Sequence, residues 1–205
     1  MTCFTGKIEM GQGIITSLAQ MLAEEMDVAL DSVDMVMGDT DLCPWDAGTY
    51  GSMSTRFFGP PLRAAGAEAK AVLLELASEQ LGRPIGQLVV EDGVVFDRMD
   101  KSARVTYGQL AKGKQIVKHL ASPPAVKTPT TLKVIGKPTT RRDALDKVTG
   151  KAEYAGDIRL EGMLYAKILR PPAHGATLKT VDTSEASKIK GVQVVRDGDL
   201  SLIHI

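Results

Sequence analysis

Gly6-Lys7-Ile8-Glu9-Met10-Gly11-Gln12-Gly13-Ile14-Ile15-Thr16 is the stretch on which the reading of the fold turns. It reads as a strand running into a glycine-flanked glutamine and then directly into an amphipathic helix. The two glycines let backbone approach a ligand closely, and a helix starting there offers unpaired N–H groups to an anion. Ile15, Leu18, Leu22 and Met26 recur at helical spacing, so the bend is mounted on a packed element. This is the anatomy of a site for a phosphate-bearing cofactor. The alternative is a tight strand-to-helix turn with no ligand. Two familiar glycine loops are excluded by spelling. A P-loop needs Lys and then Ser or Thr after its last glycine, where Gln12-Gly13 stands, and the dinucleotide fingerprint needs a third glycine where Thr16 stands. Glu9 precedes the bend and reads as structural, capping the helix or pairing with Lys7.

Outward from the bend, the first helix ends near Asp27, and Val33 to Met37 reads as a strand that leaves through Gly38-Asp39-Thr40. Residues 39–58 form a long connection rich in Gly, Ser, Thr and Pro, and loops of this length inside a domain are usually functional or disordered. Trp45, Tyr50, Phe57 and Phe58 in it argue for order. A strong helix follows: Pro60 and Pro61 suit its first turn, Gly82 its C-terminal cap, and Ala65, Ala69, Val72, Leu73 and Leu76 form an apolar stripe. The run Ala64-Ala65-Gly66-Ala67 predicts a close-packed neighbour. Leu88 to Phe96 is a hairpin, because Asp92-Gly93 supplies the positive φ of a two-residue turn. Tyr107 to Lys112 predicts one short helix. Ser122-Pro123-Pro124 through Thr131 reads as an extended surface connector. Beyond it the texture changes to short strands, Met163 to Leu169 half-buried and stopped by Pro171-Pro172, then Val192 to Val195. The fold class is α+β.

The chain has 205 residues, 43% hydrophobic and 24% charged, with 25 basic and 25 acidic side chains. That is ordinary globular composition, and the balanced charge points to neither nucleic acid nor an anionic membrane. No apolar run is long enough to span a bilayer, and the first residues lack the layout of a secretion signal. Cys3 and Cys43 form no CxxC pair, so neither a zinc ribbon nor an iron–sulfur site is spelled, and free, partly buried thiols are expected. His119, His174 and His204 show no metal-ligand spacing.

The opening bend, the Gly38-Asp39-Thr40 turn and Gly48-Thr49-Tyr50-Gly51-Ser52-Met53-Ser54-Thr55 come in a distinctive order. Ile135-Gly136, Pro138, Arg141-Arg142, Lys147-Val148-Thr149-Gly150, Ala152 and Tyr154 follow, and then Gly162-Met163-Leu164-Tyr165-Ala166 and Arg170-Pro171-Pro172. Together they resemble the molybdopterin-binding large subunit of the xanthine dehydrogenase and aldehyde oxidase family, in its isoquinoline 1-oxidoreductase β-subunit branch. The resemblance covers nearly the whole chain up to about residue 199. It implies part of a molybdopterin-binding domain over 1–122, a proline-rich linker over 123–134 and an incomplete hammerhead domain over 135–199. Residues 200–205, Leu200 to Ile205, break from the family pattern and match what one reading frame of a transposon adapter would encode, so they are expected to be a sequencing artefact.

The resemblance also implies a chemistry. A molybdenum held by a pterin dithiolene, in bacteria commonly the cytosine dinucleotide form, hydroxylates an electron-poor C–H carbon of an N-heteroaromatic or aldehyde with oxygen from water. Electrons leave through a small [2Fe–2S] subunit. On this reading Gly11, Gln12 and Gly13 admit and hydrogen-bond the cofactor, Gly51 lies close to the metal, and Ser52 and Ser54 bond the phosphate or pterin. No residue is a direct metal ligand. The family's catalytic glutamate has no counterpart here, so the chain reads as a fragment that is inactive alone. The compartment stays open between cytoplasm and, through a twin-arginine signal, periplasm. The competing reading is a non-catalytic α+β binding or assembly module whose glycines only make turns.

Overall fold

The computed structural model describes residues 1–170, 172–197 and 200–204. The chain forms two compact units, Met1–Ala152 and Glu153–Ile205. The first opens with β1 (Thr2–Thr5), which pairs in parallel with β2 (Asp34–Met37), Thr2 opposite Asp34 and Thr5 opposite Met37. Parallel neighbours need a crossover, and α1 (Ile14–Met26) supplies it. The strand expected within the Gly6 stretch thus lies just ahead of it. Leu18, Leu22 and Met26 of the anticipated stripe are buried, with Ile15 partly so, and Asp27 ends the helix in the left-handed region at φ 49°.

α2 (Gly59–Leu81) packs along α1, and its first half meets α1 as the small-residue run predicts. A Cβ on Gly66 would stand 3.1 Å from Leu22 Cδ1 and 3.2 Å from Glu25 Cβ. The buried positions of α2 are Gly59, Leu62, Gly66, Ala67, Val72 and Ala77, while Ala65 and Ala69 are exposed. The stripe read from sequence is displaced because α2 serves two cores. Leu62 joins the α1 cluster; Ala77 joins Leu88, Val95, Val105 and Leu110. Leu88, Val95 and Val105 belong to an antiparallel sheet of β3 (Leu88–Glu91), β4 (Val94–Asp97) and β5 (Arg104–Thr106), and Leu110 to α3 (Tyr107–Ala111), which follows it. Asp92 and Gly93 both take positive φ, 48° and 74°, as the hairpin turn requires.

The proline-rich stretch does not separate two bodies. The first unit runs through it to Ala152, taking in α4 (Ala144–Val148). Residues 127–135 are fastened to α1 by a buried carboxylate: Glu24 Oε2 accepts the N–H groups of Lys133, Val134 and Ile135 at 2.9, 2.6 and 3.0 Å. In the second unit β8 (Leu200–His204) lies between β6 (Ala166–Leu169) and β7 (Gln193–Asp197), antiparallel to both, with α5 (Ser184–Ser187) against β7. All of β6 is exposed rather than half-buried, since among the described residues the unit's helix packs on β7 instead. Of residues 200–205, expected to be foreign to the pattern, 200–204 thus form its central strand, and Ile205 lies outside the described residues. Pro171 lies outside the described residues. Among the described residues no helix is long and apolar enough to cross a membrane.

Candidate functional site

Two loops meet because Gly6 has no side chain. A Cβ there would fall 2.4 Å from both Asp46 Cβ and the Pro44 carbonyl oxygen, so the backbone after β1 and the backbone after β2 touch directly. Lys7 locks the contact: its ammonium donates to Asp46 Oδ1 and to the Gly48 carbonyl, each at 2.7 Å, and lies 5.7 Å from the centre of the Phe58 ring. The Ile8 N–H donates to Thr49 Oγ1 at 3.0 Å. These bonds order residues 39–58. Of the aromatics only Phe58 joins in, packed against the α1 core, since Trp45 is 89% exposed and Tyr50 and Phe57 are exposed too.

Within the bend, Glu9 is the organiser. Its Oε1 accepts the N–H groups of Gly11 and Gly13 at 2.8 and 2.9 Å, and its Oε2 that of Ile15 at 2.9 Å. Partial burial opposes ionisation, but these three amides hold the carboxyl below its ordinary range. Glu9 is therefore a cap, as one of its two expected roles had it, and Lys7 pairs with Asp46 instead. The start of α1, expected to receive an external anion, has donors already taken by this internal one. Gln12 curls on its own loop, with Nε2 donating to the Ile8 carbonyl at 2.8 Å and Oε1 accepting from Met10 N–H at 2.6 Å.

Opposite the bend, the chain enters α2 through a π-helical stretch, Ser54–Phe58, closed by Gly59 N–H on the Ser54 carbonyl. Pro60 and Pro61 explain the wide turn: neither has an N–H for the carbonyl four residues back, and their rings crowd it. Just before it, Gly51 and Ser52 both lie at positive φ, 62° and 57°; for Ser52 that conformation is strained. A hollow of about 570 Å³ opens between these two segments, lined by Met10, Gln12, Ile14, Ser17, Thr49, Tyr50, Gly51, Ser52, Ser54 and Thr55. Four of the six residues singled out from sequence, Gln12, Gly51, Ser52 and Ser54, thus share one cavity. Gly11 and Gly13 are not in its lining, and the Gly38-Asp39-Thr40 turn borders a separate hollow of about 400 Å³ beside Trp45. The lining holds no charged side chain, and among the described residues the Ser52, Ser54 and Thr55 hydroxyls make no hydrogen bond. The nearest carboxylate of the bend, Glu9, has its oxygens taken by the Gly11, Gly13 and Ile15 amides, and an uncharged lining with free hydroxyls fits a polyoxygenated anionic ligand.

A sequence model of the molybdopterin cofactor-binding domain matches residues 1–150. The chain belongs to the molybdopterin-binding xanthine dehydrogenase family. The match ends close to where the first compact unit ends. A nicotinate dehydrogenase polypeptide of Pseudomonas putida, one component of that enzyme, is 36% identical over 94% of this chain and 17% of its own length. The beta component of isoquinoline 1-oxidoreductase from Brevundimonas diminuta is 31% identical over 96% of this chain and 30% of its own. The chain thus spans less than a third of the length of these relatives. Among solved structures, a CO dehydrogenase from Oligotropha carboxidovorans overlaps with a TM-score of 0.45, at 30% identity over 51% of this chain and 13% of that one.

Sequence reasoning missed the charged residues that shape this molybdopterin-binding unit. Glu24 and Glu25 sit buried on α1. Lys127 reaches Glu24 and Asp27 at 3.1 and 2.5 Å, and Arg63 reaches Glu25 at 2.6 Å. The signal in the sequence was faint: two adjacent acids inside an otherwise uncharged helix. Arg141 and Lys147, read from sequence as the opening of another domain, touch the glycine bend itself.

Proposed function

We propose that the hollow between the Gln12 bend and the Gly51–Ser54 segment receives a molybdenum–pterin cofactor, and that the chain serves in the large subunit of a molybdenum hydroxylase. The observation that carries this reading is the gathering of Gln12, Gly51, Ser52 and Ser54 around one uncharged cavity with free hydroxyls. In this role the Ser52 and Ser54 hydroxyls donate to cofactor oxygens. Gly51 keeps side-chain bulk out of the cavity mouth, and Gln12 exchanges its present bonds to Ile8 and Met10 for bonds to the ligand. When bound, the cofactor would supply hydroxylation of an electron-poor C–H carbon with oxygen from water. The protein's part is placement.

The finer reading is an N-heteroaromatic substrate, favoured over an aldehyde because nicotinate and isoquinoline name the two relatives above. Both relatives are named as components of larger enzymes, which supports an assembly, and a small [2Fe–2S] protein is the partner this chemistry calls for. The cytosine dinucleotide form is our choice of cofactor, and residues from 135 to 199 our choice for the start of a hammerhead domain. The deciding experiment is elemental and pterin analysis of the chain purified from a molybdenum-replete host. Molybdenum and pterin are expected in equal amounts and lost in a Ser52→Ala, Ser54→Ala double variant. A chain free of both, or a double variant that keeps both, favours the module whose glycines only make turns.

A further inference from the structure

The bend at Gly11–Gly13 is gripped by charge from two directions. Glu9 collects its N–H groups, as described. The Gly11 carbonyl meanwhile accepts from two cations, Arg141 Nη2 at 2.9 Å and Lys147 Nζ at 3.2 Å. Both cations are set by one carboxylate. Asp143 accepts Arg141 Nε and Nη2 at 3.0 and 2.9 Å, and Lys147 Nζ at 2.5 Å. Arg142 fastens the same segment to α1 and the turn beyond it, its N–H on Thr16 Oγ1 at 3.0 Å and its Nη2 on the Leu30 carbonyl at 2.6 Å. The guanidinium of Arg141 lies so near Gly13 that a Cβ there would stand 3.2 Å from Cζ. Gly13 is thus demanded twice, by this neighbour and by its φ of 86°.

We propose that Arg141 and Lys147, oriented by Asp143, are positioning residues of the cofactor bend. The proposal rests on the cofactor reading above. The Gly11 carbonyl and the Gln12 N–H belong to one trans peptide plane and point in opposite directions. Holding the carbonyl therefore fixes the plane from which Gln12 projects. Gly11, at φ 106°, would otherwise let that plane turn freely. The grip spans from residue 11 to residues 141 and 147, so the cofactor bend acquires its shape only when this later segment has folded back on it.

Hydrogen–deuterium exchange on the full chain tests this, comparing wild type with an Arg141→Gln, Lys147→Met double variant and with Arg141→Lys. The double variant should exchange its 9–17 peptide at least about tenfold faster, equivalent to roughly 1.4 kcal/mol of local protection. Peptides from residues 62–77 of α2 should keep their rates, and Arg141→Lys, which keeps a donor for the Gly11 carbonyl, should restore most of the protection. Unchanged exchange over 9–17, or an increase shared with 62–77, overturns the proposal. Molybdenum content provides a second readout: the double variant should lose the metal and Arg141→Lys should keep it. Full metal in a double variant with a loosened bend overturns the positioning role. A wild-type chain without metal counts against the cofactor reading alone, and the exchange result then decides whether these cations hold the bend.

Discussion

At the scale of single residues, Glu9 and Gln12 divide the bend between them. Glu9 supplies the anion that the start of α1 would otherwise seek outside, through three amide bonds to one carboxylate. Charge-assisted bonds of this kind are worth more than neutral ones, so Glu9→Ala should lower the unfolding free energy by about 2–3 kcal/mol, with Glu9→Gln losing roughly half of that. Urea denaturation measures it, and a Glu9→Ala midpoint equal to wild type would remove Glu9 as the organiser. Gln12 is exposed and bonds only its own loop, so Gln12→Ala should cost under about 1 kcal/mol. If it binds the cofactor, the same change depletes molybdenum without moving the denaturation midpoint. A shift in both together would make it a structural residue.

The same two residues show what could be read in advance. Gln12, Gly51, Ser52 and Ser54 were legible because a motif carries residue types in a fixed local order, and locality survives folding. The capping role of Glu9 was half legible: an acid near a helix start suggests a cap, but its reach to Ile15 depends on how the glycines bend. The contact between Gly11 and Arg141 was not legible at all, since it joins positions 130 residues apart and is made by tertiary packing.

Among the elements, α2 shows why a pattern can be right in kind and displaced in position. Helical spacing identified the helix and Gly82 its cap, which takes φ 62°. A single stripe was the wrong expectation because the helix turns one face to α1 and another to the β3–β5 sheet. The small-residue run was the more faithful guide, since small residues report how near the neighbour lies. Gly66→Val would drive two methyls into Leu22 and Glu25, whose atoms stand 3.1 and 3.2 Å from the Cβ position. Overpacking of this sort costs about 1–3 kcal/mol, and Gly66→Ala should fall at the low end. Thermal unfolding reads both. Ala and Val variants of equal, unchanged stability would mean that α1 and α2 are free to separate. The loop over residues 39–58 is held as its aromatics argued, but only Phe58 among them packs on the core; the rest of the hold comes from Lys7 and from the missing side chain of Gly6.

For the molecule as a whole, the decisive element is a strap that sequence texture presented as a linker. Prolines around residues 123–129 signal an extended chain, yet Pro129–Thr131 make a helical turn, and nothing in the spelling reveals that α1 holds the stretch by charge. Glu24 is fully buried, takes three backbone N–H groups and the Lys127 ammonium, and Asp27 binds Lys127 and Lys70. For Glu24 and Asp27, burial alone would raise the carboxyl pKa. The amides and Lys127 for the first, and Lys127 and Lys70 for the second, more than offset it, so both sit below their ordinary values of 4.5 and 3.8. A carboxyl held lower in the folded chain than in the unfolded one stabilises the fold fully above the unfolded value. That contribution disappears as pH falls through the folded value. Stability should thus be level in the neutral range and decline once pH drops below 4.5, the ordinary glutamate value. Lys127 acts at the opposite end. Burial would lower its pKa, but Asp27 and Glu24 raise it above 10.5, so its share is intact below that value and is lost only as pH climbs through the higher folded one. Glu24→Gln should cost about 3 kcal/mol at neutral pH, the low end for breaking a buried pair because Asp27 still holds Lys127, and should flatten the acid decline. Urea titrations from about pH 3 to 7 on both proteins measure this. Parallel curves for wild type and Glu24→Gln would show that the strap is held by packing of Val134 and its neighbours, with the carboxylate a bystander.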